Sequence, residues 1–343
     1  MNKSLFQSLR GGRASLPPMR ILVTGARGKS SVTRLLTAAL EACGAAPAGR
    51  ITGVLPRELF KGRERLILRA GPGSVGEMKW WLGSLPYEAG SVVLENSAVA
   101  PDLQLLAWRW LKPSCTVLTN VRPDHEDAWG KGEEDAAGVL CSGIGGGPVF
   151  LPESAAGGMA AALLSARGCE LRTCPDGKNF RETHLSLVRG VCEFLGLDEG
   201  KALGAASALA PDVADFQIFD EGEGRLACAF SANDPASAID LFAETGWRSQ
   251  ETTALFNSRK DRTFRLASFK SFLCGLNWKR VAVSGSRPLF LPPGVEWVSI
   301  KRAEDLKTFV SFEGAVFGCG NVAGVPLEYL LQKRLRPEGG KRI

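Results

Sequence analysis

From Met19 the chain runs Arg20-Ile21-Leu22-Val23-Thr24, a short apolar block that reads as a buried β-strand. After a glycine-rich join, Val32, Leu35, Leu36, Ala39 and Leu40 recur at helical spacing and predict a helix over residues 31–43. An apolar strand at 91–95, a helix at 101–111 and a strand at 115–120 follow, each strand closing in polar residues. Strands that alternate with helices predict a parallel, doubly wound sheet. In such sheets ligands bind beyond the carboxyl ends of the strands, where Thr24, Glu95 and Asn120 all fall. Two more helices are expected at 154–167 and 180–195.

A stretch of small residues at 202–210 precedes Pro211, and the alternation then restarts. Strands are expected at 225–230, 253–256, 280–283 and 315–318, with helices at 236–245 and 264–273. A chain of 343 residues exceeds the ~250–300 at which one core stops growing. The expected organisation is an N-terminal extension at 1–19, a P-loop α/β domain with a doubly wound, mostly parallel sheet at 20–210, and a smaller Rossmann-like α/β domain at 211–343.

Composition narrows the function classes. The net charge of +6 is spread among interleaved acidic residues, which favours anionic small molecules over nucleic acid. The basic run at 333–342 reads as a solvated tail. Nine cysteines without a CxxC pair fit reduced, mostly buried thiols and a cytoplasmic setting. Two histidines are too few for a His-rich zinc site, so a metal is expected on oxygen ligands. The N-terminal segment lacks a signal-peptide core and no window reaches ~18 apolar residues, so a soluble chain is expected, with attachment to a membrane through a partner left open.

The chemistry concentrates in Val23-Thr24-Gly25-Ala26-Arg27-Gly28-Lys29-Ser30-Ser31. A phosphate loop needs glycines so that backbone N–H groups face the anion, a lysine for the β/γ-phosphates and a hydroxyl near Mg2+. The spacing GxxxxGK[ST] would put a glycine at Val23, so this is a shortened form, TGxxGKS. The competing reading is an accidental glycine turn, against which stands the strand–loop–helix context. Glu95 at its strand end could hold Mg2+ directly or through water, or be an ordinary exposed glutamate. The segment 119–127, TNVRPDHED, gathers ionisable groups behind a strand, where His125 is either structural or a partner to Glu95 at a second ion.

TGARGKSSVTRLL, ENSAVAPDLQ and TNVRPDHEDAWG, in that order, resemble the nucleotide loop and metal-site segments of the Mur ligase superfamily. AFSANDPASAIDLF, LFNSRKDRTFRLASF and VFGCGNVAG resemble C-terminal segments of its capsule-type poly-γ-glutamate synthase ligase group. The resemblance implies ATP and two Mg2+ ions. It places Gly25, Ala26, Arg27, Gly28, Lys29, Ser30, Ser31 and Asn120 around the nucleotide, with Asn233, Asp234, Arg259 and Asp261 closing over it. Ser30, Thr52, Glu95 and His125 would hold metal, and Lys29, Glu95, His125 and Arg262 would serve catalysis. Arg69 and Glu77 are further candidates for substrate contact.

The implied reaction is attack of a carboxylate on the γ-phosphate of ATP and capture of the acyl phosphate by an amine, with glutamate or poly-γ-glutamate as substrate. Small membrane-protein subunits of a polymer synthase and export complex are implied as partners at the inner face of the cell membrane, and a homo-oligomer is allowed. Residues 135–153 lack the lysine that peptidoglycan ligases carbamylate, in agreement with the capsule-type group. Thr183 and Phe230 depart from an expected asparagine and aspartate. The alternatives are a ligase for another amino acid or a short glutamate tail, a nucleotide-dependent switch, and a non-catalytic nucleotide-binding subunit.

Overall fold

Successive side chains of a strand point to opposite faces, and the first strand, β1 (Met19–Thr24), is buried on both. Ile21 and Val23 enter one apolar cluster with the helix Lys29–Ala42, while Leu22 enters another with Met78, Trp81 and Leu111. A strand with apolar residues on both faces therefore has to sit mid-sheet, covered by helices above and below. The structure is a computed structural model and describes residues 15–69, 71–262 and 264–335.

The chain folds as two compact units, Met1–Leu209 and Ala210–Ile343. In the first, β1 is joined by β2 (Pro47–Ile51), β3 (Arg57–Phe60), β4 (Arg63–Leu66), β5 (Ser91–Glu95), β6 (Cys115–Leu118), β7 (Gly147–Pro152) and β8 (Cys169–Cys174). Among the described residues the order is β4-β3-β2-β5-β1-β6-β7-β8, parallel except where β3 and β4 fold back as antiparallel strands at the edge. The second unit holds β9 (Gln217–Glu221), β10 (Gly224–Cys228), β11 (Thr252–Ser258), β12 (Arg280–Gly285), β13 (Val295–Trp297) and β14 (Ala315–Cys319), ordered β13-β12-β11-β14-β10-β9 and parallel but for β9. Both are the α/β sheets that the alternation of strands and helices predicts.

Several boundaries differ from the sequence reading for local reasons. The first helix begins at Lys29 rather than at residue 31, because Gly28 takes a left-handed φ of 76° and starts the helix at once. Strand β6 ends at Leu118, since Thr119 and Asn120 turn onto the glycine loop. The helix expected at 264–273 is two, Phe264–Ser268 and Lys270–Gly275. Phe230 lies beyond β10 in the core at 0% exposure, against Gly318, where an added Cβ would come within 2.3 Å of its ring. The departure at Phe230 is thus matched by a glycine on β14.

The described part of the basic run belongs to the helix Val325–Leu335, where Lys333 pairs with Glu221 at 2.8 Å and Arg334 with Asp212 at 3.7 Å. Lys333 is therefore packed on the helix face rather than in a solvated tail, while Arg334 stays exposed. The remainder of that run, and residues 1–14 of the N-terminal extension, lie outside the described residues.

Candidate functional site

The loop from Gly25 to Gly28 is held by the end of β6. Asn120 Oδ1 accepts from the Arg27 N–H at 3.1 Å, and its Nδ2 donates to the Arg27 carbonyl, also at 3.1 Å. Thr119 Oγ1 donates to the same carbonyl, and the Ala26 N–H donates to the Asn120 carbonyl at 3.2 Å. Asn120, expected to touch nucleotide, is thus engaged with the loop backbone as its scaffold. Close approach requires glycine here: a Cβ on Gly25, at φ 131°, would lie 2.1 Å from Thr119 Oγ1. A Cβ on Gly28 would lie 2.3 Å from Nε2 of the buried His184.

Lys29 turns its Nζ back onto the loop, donating to the Gly25 carbonyl at 2.6 Å and the Ala26 carbonyl at 3.1 Å. Burial lowers its pKa, Glu95 and Asp124 oppose that shift, and Arg27 adds to it. Arg27 pairs with Asp124 at 3.1 Å. Burial alone would raise the Asp124 pKa, but Arg27, His125, Lys29 and the His125 N–H together hold it below the usual carboxylate range.

Glu95 closes β5 at only 3% exposure, which removes the reading of it as an ordinary surface glutamate. Its carboxylate accepts from Ser30 Oγ at 2.9 Å, from the Thr52 N–H at 3.0 Å and from Thr52 Oγ1 at 3.1 Å. Parallel pairing of β2 with β5 sets Arg50 beside Leu94 and so delivers Thr52, just past the end of β2, to Glu95. Gly53 allows the approach, since a Cβ there would lie 2.5 Å from Ser30 Oγ. His125 stands at a left-handed φ of 47°, with Nε2 3.6 Å from Asp124 and its ring 5.2 Å from Trp129. Lys29, Thr52, Glu95 and His125 line one pocket of about 100 Å3 with Thr24, Gly25 and Asn96.

This donor set suits a nucleotide phosphate with a hard cation. The first-turn N–H groups of Lys29–Ala42 have no side-chain cap and the turn itself holds no acidic residue, which leaves the positive end of the helix for an anion. Two hydroxyls and a carboxylate meet beside the half-buried Lys29, and oxygen ligands of this kind bind Mg2+.

In the second unit the expected residues take different positions. Asp234 caps the helix Pro235–Thr245, accepting from the Ser237 N–H at 2.7 Å, and is buried. Arg259 and Asp261 pair with each other at 2.7 Å on the surface, next to Arg262 in the short turn Lys260–Arg262. Asn233 accepts from Arg265 at 3.0 Å, and Arg265 also reaches Asn321. Asn257 in turn donates to the Asn321 carbonyl at 2.6 Å and the Ala323 carbonyl at 2.9 Å. The sequence reading missed Arg265, Asn257 and Asn321, which tie the carboxyl ends of β11 and β14 together. Thr183 Oγ1 accepts from the Gly177 N–H at 2.9 Å and donates to the Asn179 carbonyl at 3.2 Å, so it orders the start of Phe180–Phe194.

Residues 213–334 match the family described as the poly-gamma-glutamate synthase CapB C-terminal domain. The chain is 27% identical over 276 residues to the PGA synthase CapB of Bacillus subtilis (strain 168), covering 74% of this chain and 70% of that protein. Its fold is shared with a bifunctional folylpolyglutamate synthase/dihydrofolate synthase solved with Mn, AMPPNP and L-glutamate bound, at TM-score 0.66 and 15% identity over 97% of both chains. MurF from Acinetobacter baumannii superposes at TM-score 0.64 and 11% identity, covering 92% of this chain and 76% of that one. The resemblance to capsule-type ligases is present in sequence, and the Mur ligase and folylpolyglutamate synthase fold is present in structure.

Proposed function

We propose that this chain is an ATP-dependent carboxylate–amine ligase that forms poly-γ-glutamate. The observation that carries the reading is the meeting of Ser30, Thr52 and Glu95 beside Lys29 at the tips of parallel strands. The CapB-like relative and the glutamate-bearing folylpolyglutamate synthase support glutamate as the substrate class. In this reading the γ-carboxylate of a glutamyl unit attacks the γ-phosphorus of ATP, ADP leaves, and the amine of a second glutamate displaces phosphate from the acyl carbon.

The protein contributes placement and charge. Lys29 exchanges the Gly25 and Ala26 carbonyls for phosphate oxygens, and the amides at the start of Lys29–Ala42 face the same anion. Ser30, Thr52 and Glu95 would hold one Mg2+, and His125 with Glu95 a second, which would neutralise phosphate charge. Asn233, Arg259, Asp261 and Arg262 are read as the second domain's contribution to nucleotide and acceptor, with Asp234 acting through its helix cap. The reading also includes a cytoplasmic setting at the inner membrane face, small membrane-protein partners and self-association, all supported by the resemblance alone. No helix among the described residues is long and apolar enough to cross a membrane.

The test is ADP release from ATP and Mg2+ with glutamate or γ-glutamyl oligomers, with products identified by mass spectrometry. Glutamate-dependent ADP with a product longer by one glutamyl residue is expected, and its loss in Glu95→Ala with unchanged circular dichroism. ATP binding without turnover on any glutamyl substrate would overturn the ligase reading in favour of a non-catalytic subunit.

A further inference from the structure

A second pocket, of about 410 Å3, opens on the first unit between the β2–β4 edge and the helix Gly76–Gly83. Arg50, Glu58, Ile67, Arg69, Glu77 and Trp80 line it. Arg50 is a β2 residue with a side chain only 1% exposed, and it is the largest fully buried side chain among the described residues. A buried guanidinium needs its charge balanced and its donors satisfied. Here the charge is opposed by Glu77, but the donors are not all satisfied.

The Glu77 carboxylate is shared between two arginines. It accepts from Arg50 Nη2 at 2.8 Å, from Arg69 Nε at 3.0 and 3.1 Å, from Arg69 Nη2 at 2.7 Å and from the Ser74 N–H at 3.1 Å. The other carboxylate of the pocket, Glu58, faces Arg65, with the closer contact at 2.5 Å. One carboxylate is thus divided between two guanidiniums, and Arg50 Nη1 is buried with no hydrogen-bond partner. Arginine presents a planar fork that matches a carboxylate. Trp80, at 83% exposure, stands at the rim and supplies an apolar face for the methylene stem of such a ligand.

The pocket lies beside the proposed reaction centre. Arg50 is two residues before Thr52 on the strand paired with β5, and its surroundings include Glu95 and Glu58 as well as Glu77 and Arg69. We infer that Arg50 and Arg69 form a subsite for the α-carboxylate of the glutamyl substrate, which orients its γ-carboxylate or amine toward the centre at Glu95. The inference rests on the proposed ligase reading for the identity of the ligand as glutamyl. The α-carboxylate could belong to free glutamate or to the end of a γ-glutamyl chain.

Direct binding separates this inference from the ligase reading. Tryptophan fluorescence of the full chain, without ATP, is titrated with glutamate, with γ-glutamyl-glutamate, and with the same compounds carrying an α-carboxamide. The acids are expected to bind at least ~10-fold more tightly than the amides, the loss expected when a charged hydrogen-bonding partner is removed. Arg69→Gln removes that preference while leaving ATP affinity unchanged, and Arg69→Lys restores part of it. Arg69 lies on the pocket wall outside the core, so this variant leaves folding intact where Arg50→Gln would disturb it. Selective weakening of glutamate or of the dipeptide identifies which one the subsite takes. Equal binding of acids and amides, or an Arg69→Gln protein that binds as wild type, would overturn the inference. Selective acid binding by a chain that lacks turnover would retain the subsite and reject the ligase reading.

Discussion

Gly28→Ala tests whether the loop is held by sterics as tightly as the geometry implies. Gly28 has φ 76°, and left-handed backbone costs a residue with a Cβ ~1–2 kcal/mol. The new Cβ would also meet His184 Nε2 at 2.3 Å and Cε1 at 2.7 Å. His184 is buried, so it cannot swing into solvent, and overpacking of this kind costs ~1–3 kcal/mol. The two effects together predict a loss of ~2–5 kcal/mol. The assay is urea unfolding of the full chain, following the transition that ATP shifts, since a ligand stabilises the unit that binds it. Gly28→Ala, His184→Ala and the double variant form a cycle, and the double variant should recover the overpacking share of ~1–3 kcal/mol while retaining the backbone share. A Gly28→Ala protein within ~0.5 kcal/mol of wild type, the range of an inert surface change, would refute the reasoning. So would a cycle without coupling between the two positions.

Three further outcomes are expected. Glu95→Ala leaves Ser30 Oγ and both Thr52 donors without their acceptor, so it should abolish Mg2+-dependent ADP release, and metal-dependent ATP affinity measured by calorimetry should drop at least ~10-fold; retained metal dependence would remove Glu95 from the site. The folded pKa of Asp124 lies below its unfolded value of ~3.9, so its pairing stabilises the fold fully above that pH and is lost as pH falls through the lower folded value. Asp124→Asn should therefore be less stable than wild type at pH 7, with the difference closing as melts are taken below pH ~4; a gap that stays constant with pH contradicts the Arg27 pairing. Thiol labelling of native protein near pH 8 should reach exposed Cys274 first, while Cys115, Cys141 and Cys192, each pushed up to about 12 by burial, react only on unfolding. Native labelling of Cys115, as located by peptide mapping, would contradict that packing.

The features legible in sequence are those made by neighbours along the chain. The glycine loop and its lysine lie within nine residues and run straight into the helix, and their order alone implies an anion site. Glu95 was legible as a strand end, but its burial was not, because the covering residues Ser30 and Thr52 are 65 and 43 residues away. Strand β2, PAGRI, and the hairpin RELF and RERL escaped the pattern, since Arg50 is buried by ion pairing with Glu77 and Arg57 by pairing with Glu64 rather than by being apolar. Asp234 was named through the resemblance of its segment, and its helix-capping bond to Ser237 was not legible, because a capping aspartate and a binding aspartate have the same local sequence. The Asn257, Arg265 and Asn321 network depends on which strands lie side by side, and no spacing within the chain announces it.

The doubled grip of Thr119 and Asn120 on the Arg27 carbonyl bears on kinetics. A loop fixed by β6 is ordered when the chain folds, so nucleotide arrival carries little further loss of backbone freedom. Lys29 is bonded to two carbonyls of the same loop, partners that on the proposed reading it would give up for phosphate oxygens. On that reading association would be an exchange of one lysine's partners, with a rate set by encounter and by the release of that ammonium group. A free loop would add a slower step in which backbone order has to form around the guest.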